Sequence, residues 1–245
     1  MKLVEFANKA SKIPFVKTLL KPFYYKYKEY LRTKEIKVFN KNGLRVISEF
    51  DSVMTQNGYP YFLLFGSLLG AIREHGLIQH DFDLDTGMWF EDSDENLLPK
   101  LEAAGFQLSS SFEIEQSRLG RQWTLSKDGI LIDIFFIYPP INILPYCCDF
   151  PIDYDITGCV SWSQMMKKNG GVIPRRVELP FCKETIRVPF ESIYLPVPIN
   201  ADQILRIHYG DDYMTPIKNW RRDETENPTN HLIRWEGKLA MYSEK

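Results

Sequence analysis

The sequence has few cysteines and no long apolar run, and these two absences exclude several classes of protein. Only four of its 245 residues are cysteine, and Cys147 and Cys148 are adjacent, so it is not a secreted disulfide scaffold. No apolar stretch reaches the roughly 18 residues that a transmembrane helix needs. Charged residues interrupt the N-terminal apolar residues, and the apolar run and cleavage site of a signal peptide are missing. We therefore expect a cytoplasmic protein, a location that includes the inner face of the cell membrane.

Three familiar catalytic patterns are also missing. The sequence has no Walker-type phosphate loop, no Rossmann fingerprint and no Ser-His-Asp pattern with supporting context. Hydrophobic residues make up 44% of the chain and aromatic residues 14%, which is enough for a sizeable core. The length fits one large domain, or one domain with a small appendage.

The near-neutral net charge of −2 conceals two oppositely charged parts. Residues 1–41 hold 11 basic and 3 acidic side chains, a charge of +8, and the remaining residues carry −10. We expect residues 1–41 to form a basic helical arm and residues 42–245 to form the catalytic domain. The arm either contacts an anionic membrane surface or is an ordinary solvated helix whose aromatic side packs on the body. The acidic body argues against nucleic acid as a partner.

Apolar periodicity predicts an α/β (α+β) fold with strands and helices in alternation. Lys127-Asp128-Gly129 predicts a tight hairpin turn, and Asn57-Gly58 predicts the left-handed end of a helix. Residues 139–171 are rich in turn formers, so we predict an irregular segment there and interpret it as an insertion or a lid. The predicted helices cover residues 44–56, 68–75, 96–104 and 201–208, and the predicted strands cover residues 61–65, 82–89, 122–126, 130–137 and 186–188.

Four acidic residues indicate a site for a hard cation. Asp81, Asp83 and Asp85 alternate along one predicted strand, so their side chains point to the same face. Asp133 lies among apolar neighbours in the strand after the hairpin turn, where burial is costly without a partner. We expect Asp83, Asp85 and Asp133 to bind Mg²⁺, with Mn²⁺ as a substitute. The alternative is that these residues face solvent at strand ends or cap turns.

Gly66 and Ser67 lie between the first predicted strand and the following helix. Glycine allows a ligand close to the backbone, and the first amides of a helix can hold a phosphate. The alternative is an ordinary helix cap. The order of these elements, with two carboxylates on one strand and a third after a hairpin, indicates a nucleotidyltransferase-like mixed sheet flanked by helices.

The run FGSLLGAIREHGLIQHDFDLDTGM, residues 65–88, resembles the signature of the LicD and fukutin-related family. LIDIFFI around Asp133 and VPINADQILRIHYGDDYMTP, residues 197–216, resemble two further motifs of that family, in the same order. Ser67 replaces the usual threonine. His80 stands where the family usually has tryptophan, and Phe82 replaces the middle aspartate, on the opposite strand face from Asp83 and Asp85.

The resemblance implies a phosphotransferase that moves phosphocholine, ribitol phosphate or glycerol phosphate. The donor would be a CDP-linked compound, and the acceptor would be a hydroxyl of a cell-surface glycan, either lipid-linked or free of lipid. Asp83 and Asp85 would hold Mg²⁺ against the diphosphate, and Asp133 would complete a second metal site and accept the hydroxyl proton. Arg73 would offset charge on the transferred group, or else be a surface arginine.

Two other functions stay open beside phospho-alcohol transfer, and a further set of residues is expected to bind substrate. Zinc is not expected, because Cys147, Cys148, Cys159 and Cys182 lack the C-x2-C spacing. One alternative is a nucleotidyltransferase that moves NMP from an NTP to a small molecule or sugar. The other is an inactive scaffold of the same fold. The expected substrate-binding residues are Gly66, Ser67, Asp81, His80, Arg121 and Asp211.

Overall fold

The computed structural model describes residues 14–151, 161–216 and 231–244. Its described helices are α1 (Pro14–Gln56), α2 (Phe65–Leu69), α3 (Leu97–Ala103), α4 (Trp162–Asn169) and α5 (Ala201–Tyr209). A π-helical segment, Gly70–Glu74, continues α2, and Phe90–Asp92 forms a 3-10 turn. The described strands are β1 (Phe62–Leu63), β2 (Asp83–Trp89), β3 (Gln107–Ile114), β4 (Gly120–Lys127), β5 (Ile130–Ile137), β6 (Tyr146–Asp149), β7 (Arg175–Glu178), β8 (Thr185–Phe190), β9 (Ile193–Pro198), β10 (Leu232–Arg234) and β11 (Ala240–Glu244).

Among the described residues, six strands form the main sheet in the order β1-β2-β5-β4-β3-β11. β2 and β5 pair in parallel, whereas the other neighbours are antiparallel. The central strand β5 is almost continuously apolar, and all of its residues except Leu131 and Asp133 are buried. The predicted α/β fold with a mixed sheet and flanking helices is confirmed.

The turn between β4 and β5 sets the register in which these two central strands pair. Asp128 and Gly129 both have positive φ, 50° and 79°, as a two-residue hairpin turn of the favoured twist requires. Lys127 therefore pairs with Ile130, and counting back along both strands places Thr124 opposite Asp133. The predicted hairpin is confirmed, and its register places the hydroxyl of Thr124 beside the carboxylate of Asp133.

Helix α1 is longer than the sequence pattern suggested. It runs without a break across residues 41 and 42, so the predicted boundary between arm and domain lies inside a helix. Its C-terminal half presents an apolar stripe at helical spacing to the core, and Gly58 closes it with a φ of 74°. The buried residues of this stripe are Phe39, Val46, Ile47, Phe50 and Met54.

The predicted irregular segment 139–171 contains regular structure. β6 pairs with β7, and β7 pairs with β10, in a second described sheet. Helix α4 follows and begins at Ser161, whose side chain accepts the N–H of Gln164. The prediction of irregular structure was therefore wrong for β6 and α4, because pairing partners far along the chain decide these elements. Residues 152–160 of this segment lie outside the described residues.

No helix in the described ranges combines the length and apolar character required to cross a bilayer.

Candidate active site

One cleft of about 1270 Å³ gathers the acidic residues of the first motif and Asp133. Residues of β2 form one wall, and residues of β4 and β5 continue it. The other lining residues come mainly from helix α1, from α2 and the π-helical segment, from the loop before β2, from Asp149, Phe150 and Trp162, and from residues 209–216. The sequence-predicted residues that line it are Gly66, Arg73, His80, Asp81, Asp83, Asp85 and Asp133.

The central carboxylates come from two neighbouring parallel strands. Asp83 and Asp85 are two residues apart on β2, so they point to the same side. Asp85 is the pairing partner of Asp133 on β5. Asp81 precedes the strand rather than belonging to it, in a turn where its N–H donates to the carbonyl of Ile78.

Burial and neighbouring charges raise the pKa of carboxyl groups in this cluster. Burial, followed by the charges of Asp85, Asp81 and Asp133, raises the pKa of Asp83 to about 9. Burial also raises the pKa of Asp133 to about 6, although hydrogen bonds from Thr124 and Gln122 oppose that rise. Such a cluster is unfavourable in its fully ionised form unless a cation neutralises it.

Gly66 and Ser67 are tied to Asp85 by a reciprocal pair of hydrogen bonds. The N–H of Gly66 donates to Asp85 Oδ2 at 3.0 Å, and the N–H of Asp85 donates to Ser67 Oγ at 2.9 Å. A Cβ on Gly66 would lie 2.9 Å from Asp81 Oδ2 and 3.2 Å from Asp85 Oδ2, so a larger residue would push these carboxylates away. Both residues lie in the first turn of α2, and Ser67 is buried behind the cleft rather than lining it. The pair fixes the position of Asp85.

The carboxylates suit a hard divalent cation by the chemistry of their donors. All are oxygen ligands, as Mg²⁺ prefers, and Mg²⁺ commonly takes only one or two protein carboxylates together with waters and substrate phosphates. No three His, Cys, Asp or Glu side chains in the described part of the chain form a ready-made metal site. Asp83 and Asp85, with Asp133 beside them, therefore fit a site that substrate phosphates complete.

Arg73 reaches the cleft from the π-helical segment. Its Nε donates to Glu74 Oε1 at 2.8 Å, and its Nη1 donates to the carbonyl of Tyr213 at 3.2 Å. The side chain is only 11% exposed, unlike a surface arginine. Gly70, the first residue of this segment, lies so close to the backbone that a Cβ would be 2.5 Å from the carbonyl oxygen of Gly76.

Three predicted substrate-binding residues have contrasting positions. His80 is exposed at the rim of the cleft. Arg121 points to the other face of β4 and stacks over the ring of Trp123, with 5.1 Å from its guanidinium carbon to the ring centroid. The side chain of Asp211 is 93% exposed and lies 3.5 Å from Arg206. The structure brings neither Arg121 nor Asp211 into the cleft.

None of the three described cysteines lines the cleft. Cys147 and Cys148 are buried on β6, and burial raises the pKa of Cys148. Cys182 Sγ lies 3.0 Å from Asn200 Oδ1. Cys159 lies outside the described residues.

Residues that the sequence did not single out complete the cleft. Thr124 Oγ1 donates to Asp133 Oδ1 at 2.5 Å, and Gln122 Nε2 donates to Asp133 Oδ2 at 3.2 Å. The hairpin register was the signal that predicts both contacts. The segment around β6 and α4 adds Asp149, Phe150 and Trp162, and helix α1 adds Arg32 and Ile36. No local sequence signal predicts these last five positions, because tertiary packing alone brings them to the cleft.

Phe65 lines the cleft in a backbone conformation that suits glycine better. Its φ is 41°, within the left-handed region. Its ring makes an edge contact with Phe135, with centroids 4.9 Å apart, and lies 4.7 Å from the ring of His208. The ring contacts hold the residue in this conformation.

A family comparison agrees with this arrangement. The profile described as "LicD/FKTN/FKRP, nucleotidyltransferase domain" matches residues 58–200, more than half of the chain. That range contains Gly66, Arg73, the acidic residues of β2 and Asp133.

Individual relatives are more distant. Over 221 residues the chain is 25% identical to the ribitol-5-phosphate transferase FKTN of Mus musculus, covering 86% of this chain and 42% of that protein. The corresponding protein of Homo sapiens is 21% identical over 226 residues, or 88% of this chain and 44% of that protein. An uncharacterized protein of Rickettsia prowazekii is 28% identical over 124 residues, covering 47% of this chain and 43% of that protein. The chain spans less than half the length of each of these relatives.

Proposed function

Because the chain belongs to the LicD/FKTN/FKRP family of nucleotidyltransferase domains, we propose that it transfers a phospho-alcohol from a CDP-linked donor to a glycan hydroxyl. Ribitol phosphate, glycerol phosphate and phosphocholine are the candidate groups. The observation that carries the proposal is the convergence of Asp83, Asp85 and Asp133 in one cleft. Carboxylates on adjacent strands are the donor set that transfer at phosphorus requires.

Asp83 and Asp85 would hold Mg²⁺, and Asp133 would complete the site. When bound, the metal supplies positive charge against the diphosphate oxygens of the donor. The proposal is supported by the unfavourable electrostatics of the cluster, in which burial and neighbouring charges raise the pKa of Asp83 to about 9. Gly66 and Ser67 serve this site by fixing Asp85 through their two hydrogen bonds.

The chemistry is a substitution at the phosphorus atom that carries the alcohol. The acceptor oxygen forms a bond to that phosphorus, the bond to the CMP phosphate breaks, and CMP leaves. Asp133 takes the proton of the attacking hydroxyl, and Thr124 and Gln122 hold its carboxylate in place. Arg73, held by the carbonyl of Tyr213, offsets negative charge on the transferred group.

The exposed part of α1 is proposed to hold the enzyme at an anionic membrane surface, at the cytoplasmic face where a lipid-linked acceptor is presented. Tyr27 and Tyr30 are 49% and 58% exposed, and Leu31 is 36% exposed. Lys26 and Lys34 are exposed beside them. Exposed aromatic and basic residues on one helix suit the boundary between lipid headgroups and acyl chains.

Incubation of the protein with CDP-ribitol, CDP-glycerol, CDP-choline and CTP, each with Mg²⁺, tests the proposed reaction. A glycan acceptor is supplied, and the products are followed by mass spectrometry. Release of CMP together with an acceptor mass increase of one phospho-alcohol is expected from one CDP-linked donor. Consumption of CTP with release of pyrophosphate would instead favour NMP transfer. An inactive scaffold would be favoured if no donor were turned over and if cells with Asp83→Asn kept the same level of glycan phosphorylation as wild-type cells.

A further inference from the structure

The sequence pattern separates the basic N-terminal residues from the catalytic motifs, but the fold joins them at the cleft. Arg32 and Ile36 of α1 line the same cleft as Asp81 and Asp83. Both positions precede residue 58, where the match to the family domain begins. The cleft of this chain is therefore bounded in part by residues that the family domain does not supply.

One face of α1 is packed against the loop of the first motif, and this packing sets the position of Arg32. Asn40 Nδ2 donates to the carbonyl of Gln79 at 3.0 Å. Leu77 packs so closely over Gly43 that a Cβ there would lie 3.0 Å from its Cδ1. Residues 32, 36, 40 and 43 follow helical spacing, so one face carries the loop contacts and Arg32.

The guanidinium of Arg32 lies over the ring of Phe82, with 5.8 Å from its carbon to the ring centroid. Phe82 lies between Asp81 and Asp83, and its ring is 37% exposed at the mouth of the cleft. In the described ranges the guanidinium of Arg32 makes no hydrogen bond or ion pair with another protein group. A stacked guanidinium keeps its N–H donors at the ring edge, where they can bind an anion in two directions at once.

We infer that Arg32 is a substrate-binding residue that contacts the phosphate groups of the donor at the mouth of the cleft, with Phe82 as its platform. This inference rests on the proposed function, since it takes the donor to be a nucleoside diphosphate compound. Among lysines and arginines of the described residues, Arg32 and Arg73 line the cleft. Arg73 is held by Glu74 and the carbonyl of Tyr213, whereas Arg32 keeps its donors for a ligand. The acidic cluster with its cation and Arg32 would bind the diphosphate from two sides.

Binding of CDP in the presence of Mg²⁺, measured by isothermal titration calorimetry, tests the inference without any need for turnover. The variants are Arg32→Gln, Arg32→Lys and Phe82→Leu, and Lys37→Gln is the control from an exposed position on the same helix. We expect Arg32→Gln to weaken CDP binding about tenfold, as the loss of a charge-assisted hydrogen bond does. Arg32→Lys and Phe82→Leu should fall between Arg32→Gln and the wild type, and Lys37→Gln should stay within about twofold of the wild type.

Steady-state kinetics with the preferred CDP-linked donor provide the second readout. Arg32→Gln is expected to raise KM for the donor about tenfold with little change in kcat, because the contact is the same in the ground state and the transition state. Equal CDP affinity of Arg32→Gln and wild type, with matching melting temperatures, would overturn the inference alone. If the wild-type protein itself bound no CDP, the proposed donor class would fail and the inference with it.

Discussion

Asp85 on β2 and Asp133 on β5 are direct pairing partners in the parallel part of the sheet. Their side chains share a face, and each is held by protein donors, Asp85 by the N–H of Gly66 and Asp133 by Thr124 and Gln122. Two anions fixed side by side repel each other, and this repulsion is useful only where a cation or a proton is handled. The predictions below test this relationship and the groups that maintain it.

Asp83→Asn is expected to lower kcat/KM for transfer by about 100-fold or more, because it removes a proposed ligand of the cation. Transfer assays with saturating Mg²⁺ measure this effect. Glu95→Gln is the matched control, since Glu95 is an exposed acidic residue outside the cleft. Full activity of Asp83→Asn would remove this residue from the mechanism.

Removal of divalent metal should lower the thermal stability of the wild type and leave Asp83→Asn almost unchanged. Bound cation stabilises the folded protein by mass action and relieves the repulsion within the cluster. Differential scanning fluorimetry with EDTA, and then with increasing Mg²⁺, measures the shift without any need for substrate. Identical Mg²⁺ responses in the two proteins would argue against a site at Asp83.

The free energy of unfolding of the metal-free protein should decrease as the pH rises, because Asp83 has different pKa values in the folded and unfolded states. Burial, followed by the charges of Asp85, Asp81 and Asp133, raises its folded-state pKa to about 9, above the unfolded value of roughly 4. The carboxyl is protonated in the folded protein below pH 9 and ionised in the unfolded chain above pH 4. Its stabilising contribution is therefore full below pH 4 and is lost between these limits, by up to about 1.4 kcal/mol per pH unit.

Urea unfolding in EDTA at pH 5 and pH 8 measures this dependence. The free energy of unfolding of Asp83→Asn relative to the wild type should increase between the two pH values, because asparagine does not titrate. A constant difference across this range would contradict the raised pKa of Asp83.

Ser67→Ala should destabilise the protein by about 1–3 kcal/mol, because it leaves the N–H of Asp85 without its acceptor. Activity should fall as well, since Asp85 loses one of its two restraints. Ser67→Thr keeps the hydroxyl and should retain most of both properties. Chemical unfolding and transfer assays provide the readouts, with Ser52→Ala on the exposed side of α1 as the control. Equal stability of Ser67→Ala and wild type would show that water replaces the hydroxyl.

Thr124→Val should shift the acid limb of the pH–rate profile to higher pH. Burial raises the pKa of Asp133 to about 6, and the hydrogen bond that the Thr124 hydroxyl donates to this carboxyl limits the rise. Without that bond, Asp133 stays protonated to a higher pH and cannot accept the hydroxyl proton there. Thr185→Val, on an exposed edge position of β8, is the control. An unmoved acid limb would argue that another group is the base.

Reversal of the charges of Lys26, Lys34 and Lys37 to glutamate should weaken binding to anionic vesicles. Each basic residue near such a surface contributes about 1 kcal/mol. Flotation with phosphatidylserine-containing vesicles and with neutral phosphatidylcholine vesicles separates charge from apolar insertion. All three residues lie on exposed positions of α1, so the fold should persist. A double variant, Lys167→Glu with Lys168→Glu, shows the effect of charge reversal away from α1. Equal flotation of all these proteins would contradict the membrane proposal.

The sequence was most informative where local pattern and tertiary structure agree. The apolar run of β5 and the turn at Asp128-Gly129 predict a hairpin, and its register places Thr124 beside Asp133. Asp83 and Asp85 follow the period of a strand, so their common face was predictable. These two parts of the site therefore depend on residues that are close together in sequence.

The rest of the cleft depends on contacts between distant parts of the chain. Asp149, Phe150 and Trp162 come from a segment whose turn-rich composition hides a strand that pairs with β7. Arg121 was expected near the substrate, but alternation along β4 turns it to the opposite face from Gln122 and Thr124. Arg32 was missed because it belongs to the basic N-terminal part of the sequence, which we interpreted as an arm outside the site. The contacts of Asn40 and Leu77 between α1 and the loop of the first motif place Arg32 at the cleft.

The left-handed backbone of Phe65 has a consequence for engineering this protein. A non-glycine residue at a φ of 41° carries about 1–3 kcal/mol of strain. Glycine at this position would relieve that strain, but it would also delete a ring that is only 4% exposed in the core, and such a deletion costs about 3–5 kcal/mol. Packing therefore outweighs strain at residue 65, and a stabilised variant of this protein is best sought at other positions.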